Sequence, residues 1–112
     1  MKSLEDSIYN LSNIDISTPS DVEIALDRLA ASLMTKFKIS QKRFWGRAPS
    51  LLEILKLIQR QKPSLSEAIP LLREIESIIK RAYDDELDEE EADDLSANVT
   101  ALQDLLESEL IK

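Results

Sequence analysis

Residues 50–82 read SLLEILKLIQRQKPSLSEAIPLLREIESIIKRA, and this stretch decides the fold. It opens with Ser50 and Glu53 in the spacing of a capping box, in which each side chain satisfies a backbone amide at the start of a helix. The apolar residues that follow cover most of a helical circumference, as expected of a helix packed on several sides. The pattern predicts a helix over residues 50–61 that ends ahead of Pro63.

A second helix is predicted over residues 65–83, where apolar side chains recur at intervals of three and four. Ser64 and Glu67 repeat the capping-box spacing, and Ser66 is an alternative cap. The choice decides the effect of Pro70. After a cap at Ser66 the proline removes only one of the first intrahelical bonds, whereas after a cap at Ser64 it should bend the second turn.

Three further amphipathic segments lie outside this stretch, over approximately residues 3–12, 19–37 and 88–110. The helix over 19–37 follows a threonine that can cap it and begins with a proline, which is favoured at the first helical position. The last helix carries leucines at heptad-like spacing. This stripe is long enough to pack against a helix of a partner as well.

The rest of the composition agrees with helix. One glycine and four prolines supply too little turn chemistry for a β-sandwich or barrel. A chain of 112 residues with 43% hydrophobic and 32% charged residues has the size and balance of one folded domain. We therefore expect an all-α, single-domain bundle of four to five helices that spans residues 1–112.

Cysteine and histidine are both absent. Their absence excludes disulfides, thiol nucleophiles, Cys/His zinc sites and Ser-His-Asp triads. No glycine-rich phosphate loop and no EF-hand spacing is present either. We expect a protein that is not an enzyme, with no catalytic residue, no metal and no cofactor.

The first ten residues, MKSLEDSIYN, contain acids where an export signal would have a basic and then an apolar stretch. No apolar run approaches the roughly 20 residues of a membrane span. These features predict a cytoplasmic protein with no membrane partner.

Charge is divided unevenly along the chain. Residues 1–62 hold ten Lys/Arg against seven Asp/Glu, whereas residues 63–112 hold four against fifteen. Within residues 36–62 eight cations face the single acid Glu53. The sequence KRFWGR supplies the candidate contact residues of this part: Lys42, Arg43, Phe44, Trp45 and Arg47.

Such a mixture of cations and aromatic rings suits a protein hot spot, or phosphate contacts with base stacking. The alternative is that both rings close the end of the bundle while the charges are solvated. Nine of the eleven residues from 84 to 94 are acidic. They either complement the positive end of the last helix dipole or form a docking surface for a basic partner. The candidate contact residues here are Asp84, Asp85, Glu86, Asp88 and Glu89.

These features predict a non-catalytic protein-protein interaction or adaptor module that uses the basic connection and the acidic segment. One alternative is a small nucleic-acid-associated subunit that uses the basic face of residues 36–62 within a larger complex, since a net charge of −8 opposes unaided binding to phosphates. Another is an acidic inhibitor that mimics nucleic acid. Self-association is also possible, with basic and acidic segments of two copies in contact and the leucine stripe between them.

Overall fold

The computed structural model describes residues 4–14, 19–82 and 87–111, and in these residues it contains five α-helices and no strand. The helices are α1 (Leu4–Tyr9), α2 (Pro19–Lys36), α3 (Leu51–Ile58), α4 (Ala68–Ala82) and α5 (Glu89–Leu110). Three short 3₁₀ turns, Asn10–Asn13, Gln41–Phe44 and Pro63–Glu67, join them. The predicted all-α bundle is confirmed.

Helices α4 and α5 form an antiparallel pair that organises the bundle. At one end Arg81 lies 3.8 Å from Glu91. At the other end Ser64 donates a hydrogen bond of 2.7 Å to the Glu109 carboxylate, and the Lys62 ammonium donates one of 3.2 Å to the Glu109 carbonyl. Helix α3 packs against α2 and α4, while α1 packs against α2 and α5.

The core is built mainly from leucine and isoleucine on the inward faces of all five helices. The stripe of α5 is part of it, since Leu95, Val99, Leu102, Leu106 and Leu110 are all buried. The prediction that this stripe can also serve a partner helix is therefore wrong for the folded chain. Helices α1 and α4 and the turn Asn10–Asn13 pack on α5, so a partner helix could reach the stripe only by unpacking the bundle.

Two helix starts are capped as their sequences indicate. Ser50 accepts from the Glu53 amide, the Glu53 carboxylate accepts from the Ser50 amide, and Asp88 and Glu91 form the same reciprocal pair at α5. Ser64 makes no such cap, because the chain enters α4 through the 3₁₀ turn Pro63–Glu67.

Neither predicted position of Pro70 is correct, because α4 begins at Ala68, after both candidate serines. Pro70 is consequently the third residue of α4. An amide at that position has no acceptor within the helix, so the proline costs no hydrogen bond there.

Candidate functional site

The connection from α2 to α3 starts with an unusual helix end. The Ile39 amide donates to the Met34 carbonyl at 2.9 Å and the Lys38 amide to the Thr35 carbonyl at 3.4 Å, which closes α2 with Lys38 in the left-handed region at φ 55°. Glycine is the usual residue at such a position. Here the backbone conformation is carried by a lysine, whose side chain is exposed.

The same geometry recurs at the end of the 3₁₀ turn Gln41–Phe44. Ser40 caps this turn by accepting from the Lys42 amide at 3.2 Å. The Gly46 amide donates back to the Gln41 carbonyl at 3.0 Å, and this closure places Trp45 in the left-handed region at φ 58°. Gly46 also has a positive φ of 81°, so two consecutive left-handed residues turn the chain at the indole.

The two neighbouring aromatic residues have opposite environments. Phe44 is 9% exposed and belongs to the core, whereas Trp45 is 95% exposed. The interpretation in which both rings close the bundle thus holds for Phe44 only. Of the residues predicted to contact a partner, Phe44 can contribute only by holding the turn in place.

Arg47 ties the connection to the start of α3. Its guanidinium donates two hydrogen bonds to the Glu53 carboxylate, at 2.6 and 3.0 Å, and lies 5.6 Å from the centre of the Phe44 ring. This bond raises the pKa of Arg47 and lowers that of Glu53. Because Glu53 also completes the cap at Ser50, Arg47 braces the turn that carries Trp45.

The remaining predicted cations, Lys42 and Arg43, are exposed, and their side chains form no ion pair with another described residue. Together with Trp45 they form what we call the Trp45 surface (Lys42, Arg43 and Trp45). Tryptophan and arginine are among the residue types enriched in protein hot spots.

The acidic candidates are arranged differently. Asp84, Asp85 and Glu86 lie outside the described residues. Asp88 is exposed, but its carboxylate is engaged as the cap of α5 and accepts from the Glu91 amide at 2.7 Å. Glu89 follows on the first turn and is exposed, so it is the described acidic candidate whose carboxylate is free of a capping bond.

The structure does not bring Arg43 and Asp88 together. Arg43 and Arg60 border the same notch, and Lys62, two residues after Arg60, reaches the Glu109 carbonyl. This places Arg43 toward the C-terminal end of α5, whereas Asp88 caps its N-terminal end. At 1.5 Å per residue these ends are about 30 Å apart, so the two predicted halves of the binding site are separate surfaces.

A larger groove of about 820 Å³ lies between α1, α2 and the end of α5. Leu4, Leu110 and Ile111 give it apolar walls, and the hydroxyls of Ser7 and Ser32 hydrogen-bond at 2.7 Å beside them. Over the described part of the chain, no group of three or more acidic residues is placed to hold a metal ion. Within that same part, the helices are too short or too polar to cross a bilayer.

Sequence reasoning missed two features that depend on residues distant in the chain. The first is a notch that Lys38, Arg43 and Arg60 border together. The second is the proximity of Glu23 of α2 to Glu76 of α4, where burial, the larger cause, and the charge of Glu23 raise the pKa of Glu76. The excess of cations in residues 36–62 signalled the first in general terms. Nothing in the sequence pairs the two glutamates.

Comparison of the chain with protein-family models, with curated proteins and with solved structures gives no significant match.

Proposed function

We propose that the protein is a non-catalytic protein-binding module that contacts an acidic partner protein through the Trp45 surface. The observation that carries this proposal is that Trp45 is 95% exposed and that its own backbone lies in the left-handed region. In the free protein the exposed apolar ring and the left-handed backbone each cost free energy. Contact with a partner removes the ring from water.

The energetic argument starts from the ring. A tryptophan offers up to about 250 Å² of mostly apolar surface, and at about 25 cal/mol per Å² its removal from water is worth up to about 6 kcal/mol. The left-handed backbone adds a cost of about 1 to 2 kcal/mol that glycine would avoid. Costs of this kind persist where surrounding structure imposes them, and they concentrate at functional sites.

The charge around the ring supports the choice of partner. Lys42 and Arg43 have no carboxylate partner among the described residues, while Arg47 in the same connection is paired with Glu53. Uncompensated cations beside an aromatic anchor favour a partner with carboxylates around an apolar pocket, because complementary charge speeds encounter and fixes orientation.

A nucleic acid is the second candidate, favoured by the same exposed indole, since a base can stack on it between two cations. The net charge of −8 opposes unaided binding of such a polyanion unless another subunit compensates it. This candidate therefore requires a complex, whereas the first does not.

Photo-crosslinking tests the proposal. A benzophenone amino acid replaces Trp45 in the full chain, and in a matched control it replaces Ile24, a residue of α2 that is 47% exposed. After irradiation in an extract of the native cell treated with nuclease, we expect a discrete protein adduct at position 45 that is absent at position 24. The adduct should weaken with Arg43→Gln and re-form with the purified, identified partner.

Two other outcomes are decisive. An adduct that disappears with nuclease favours the nucleic-acid candidate. Equal labelling at positions 45 and 24 contradicts a binding role for the Trp45 surface.

A further inference from the structure

A second basic feature lies beside the connection, on three different elements. A notch of about 180 Å³ opens between the end of α2, the turn Gln41–Phe44 and the end of α3. Lys38, Arg43 and Arg60 border it together with Phe37, Ile39, Leu57 and Ile58, and the exposed surface of the notch is mostly polar. We call it the cation notch. None of the described residues that line it is acidic.

These three cations are uncompensated. Their side chains form no hydrogen bond or ion pair with another described residue, although the protein as a whole carries a net charge of −8. Arg47, in the same connection, differs from them, because its guanidinium donates two hydrogen bonds to the Glu53 carboxylate. An anion in the notch is attracted by all three charges.

The backbone helps to assemble the notch. Lys38 occupies the left-handed position that ends α2, at φ 55°, where glycine would fit without strain. This conformation turns the chain out of the helix and lets Lys38 border the same notch as Arg60, which is 22 positions away in the sequence.

From this geometry we infer that the cation notch binds one tetrahedral dianion of the phosphate class. Its volume of about 180 Å³ lies below the roughly 300 to 1,000 Å³ of sites for drug-sized ligands. Arginine presents a planar fork that matches phosphate oxygens, and lysine adds a point charge. The phosphate is either free inorganic phosphate or the phosphate of a phosphorylated side chain.

The test uses the full chain and nuclear magnetic resonance. Inorganic phosphate, a short peptide with phosphoserine and the same peptide with glutamate are titrated separately in low-salt buffer, and backbone amide shifts are followed. We expect saturable shifts that cluster at residues 37–43 and 57–61. The double variant Arg43→Gln/Arg60→Gln should lower the affinity at least about tenfold, because charged hydrogen bonds of this kind are lost.

The matched control is Arg73→Gln, which removes the same charge from an exposed arginine of α4 and should leave the affinity within about twofold. Trp45→Ala should also retain phosphate binding, so this inference can fail or succeed independently of the protein-binding proposal. Circular dichroism verifies that each variant is folded.

The comparison of ligands identifies the source of the phosphate. Tighter binding of the phosphopeptide than of inorganic phosphate assigns the notch to a phosphorylated partner, and equal binding assigns it to the free ion. Shifts that do not saturate, that spread evenly over surface lysines or that survive in the double variant overturn the inference. Equal affinity for the glutamate peptide overturns the choice of a phosphate.

Discussion

Replacement of Trp45 by alanine should separate binding from folding almost completely. Because Trp45 is 95% exposed, folding hides only roughly 10 to 15 Å² of a side chain of about 250 Å². At about 25 cal/mol per Å² this contributes about 0.3 kcal/mol to the free energy of unfolding. Alanine keeps the Cβ atom and therefore the same left-handed strain, so stability should change by less than about 0.5 kcal/mol.

The effect on binding is much larger. If a partner covers about 200 Å² of the indole, the gross gain is about 5 kcal/mol, of which ordering and desolvation of polar groups cancel a part. Aromatic hot spots lose about 2 to 4 kcal/mol on truncation, which is roughly 30- to 700-fold in the dissociation constant. We expect a loss within this range for the partner identified by crosslinking at position 45.

Two assays measure the two quantities. Titration calorimetry gives the dissociation constant, and urea unfolding followed by far-ultraviolet circular dichroism gives stability, since the variant lacks the chain's only tryptophan. Ile24→Ala removes another exposed apolar side chain and should leave binding unchanged. Phe44→Ala should instead cost about 3 to 5 kcal/mol of stability, because this ring is buried.

A variant with glycine tests the strain argument. Trp45→Gly removes the ring and also fits φ 58°, so it should be about 1 kcal/mol more stable than Trp45→Ala while binding equally poorly. The reasoning is refuted if Trp45→Ala lowers the free energy of unfolding by more than about 1 kcal/mol, or if its affinity stays within about threefold of the wild type.

Three further predictions concern the bundle. Burial and the charge of Glu23 raise the pKa of Glu76 in the folded state, so ionised Glu76 lowers the stability of the protein, and this stability is recovered as pH falls. Glu76→Gln should therefore raise the free energy of unfolding by less than about 1 kcal/mol near pH 7. A difference in urea midpoint between variant and wild type that is equal at pH 4 and pH 7 would contradict this. Ser50→Ala removes the cap of α3 and should lower the unfolding free energy by about 0.5 to 2 kcal/mol, whereas Ser66→Ala, at an exposed position where no cap forms, serves as the control. Sedimentation should show monomers at about 0.15 M salt and reversible dimers only at low salt; monomers under both conditions would exclude self-association through charge.

Helix positions could be predicted because periodicity and caps act locally. The capping boxes at Ser50 and Asp88 form as their spacing indicates, and α2 begins at Pro19. Ser64 and Glu67 have the same spacing as Ser50 and Glu53, yet they lie within a 3₁₀ turn, and the Ser64 hydroxyl donates to Glu109 on α5. This outcome depends on a contact 45 residues away, which no local pattern contains.

The site could be predicted in composition but not in geometry. KRFWGR marks the connection as basic and aromatic, yet outside a helix no periodicity says which of two adjacent rings turns inward. Phe44 turns inward and Trp45 outward because the backbone of Trp45 lies in the left-handed region, although the chain's only glycine is the next residue. A reader of the sequence would assign the positive φ to Gly46 alone.

The distribution of charge along α5 also restricts how two copies could meet. The cation notch and the capped start of α5 lie at opposite ends of this helix, about 30 Å apart. A twofold pair satisfies both charge contacts only if the copies lie side by side in opposite directions, while a single contact per copy gives an open chain. Because the leucine stripe is buried inside each bundle, either assembly is held by exposed charge. Solvent and salt screen such contacts strongly, so we expect either assembly to be weak at physiological salt.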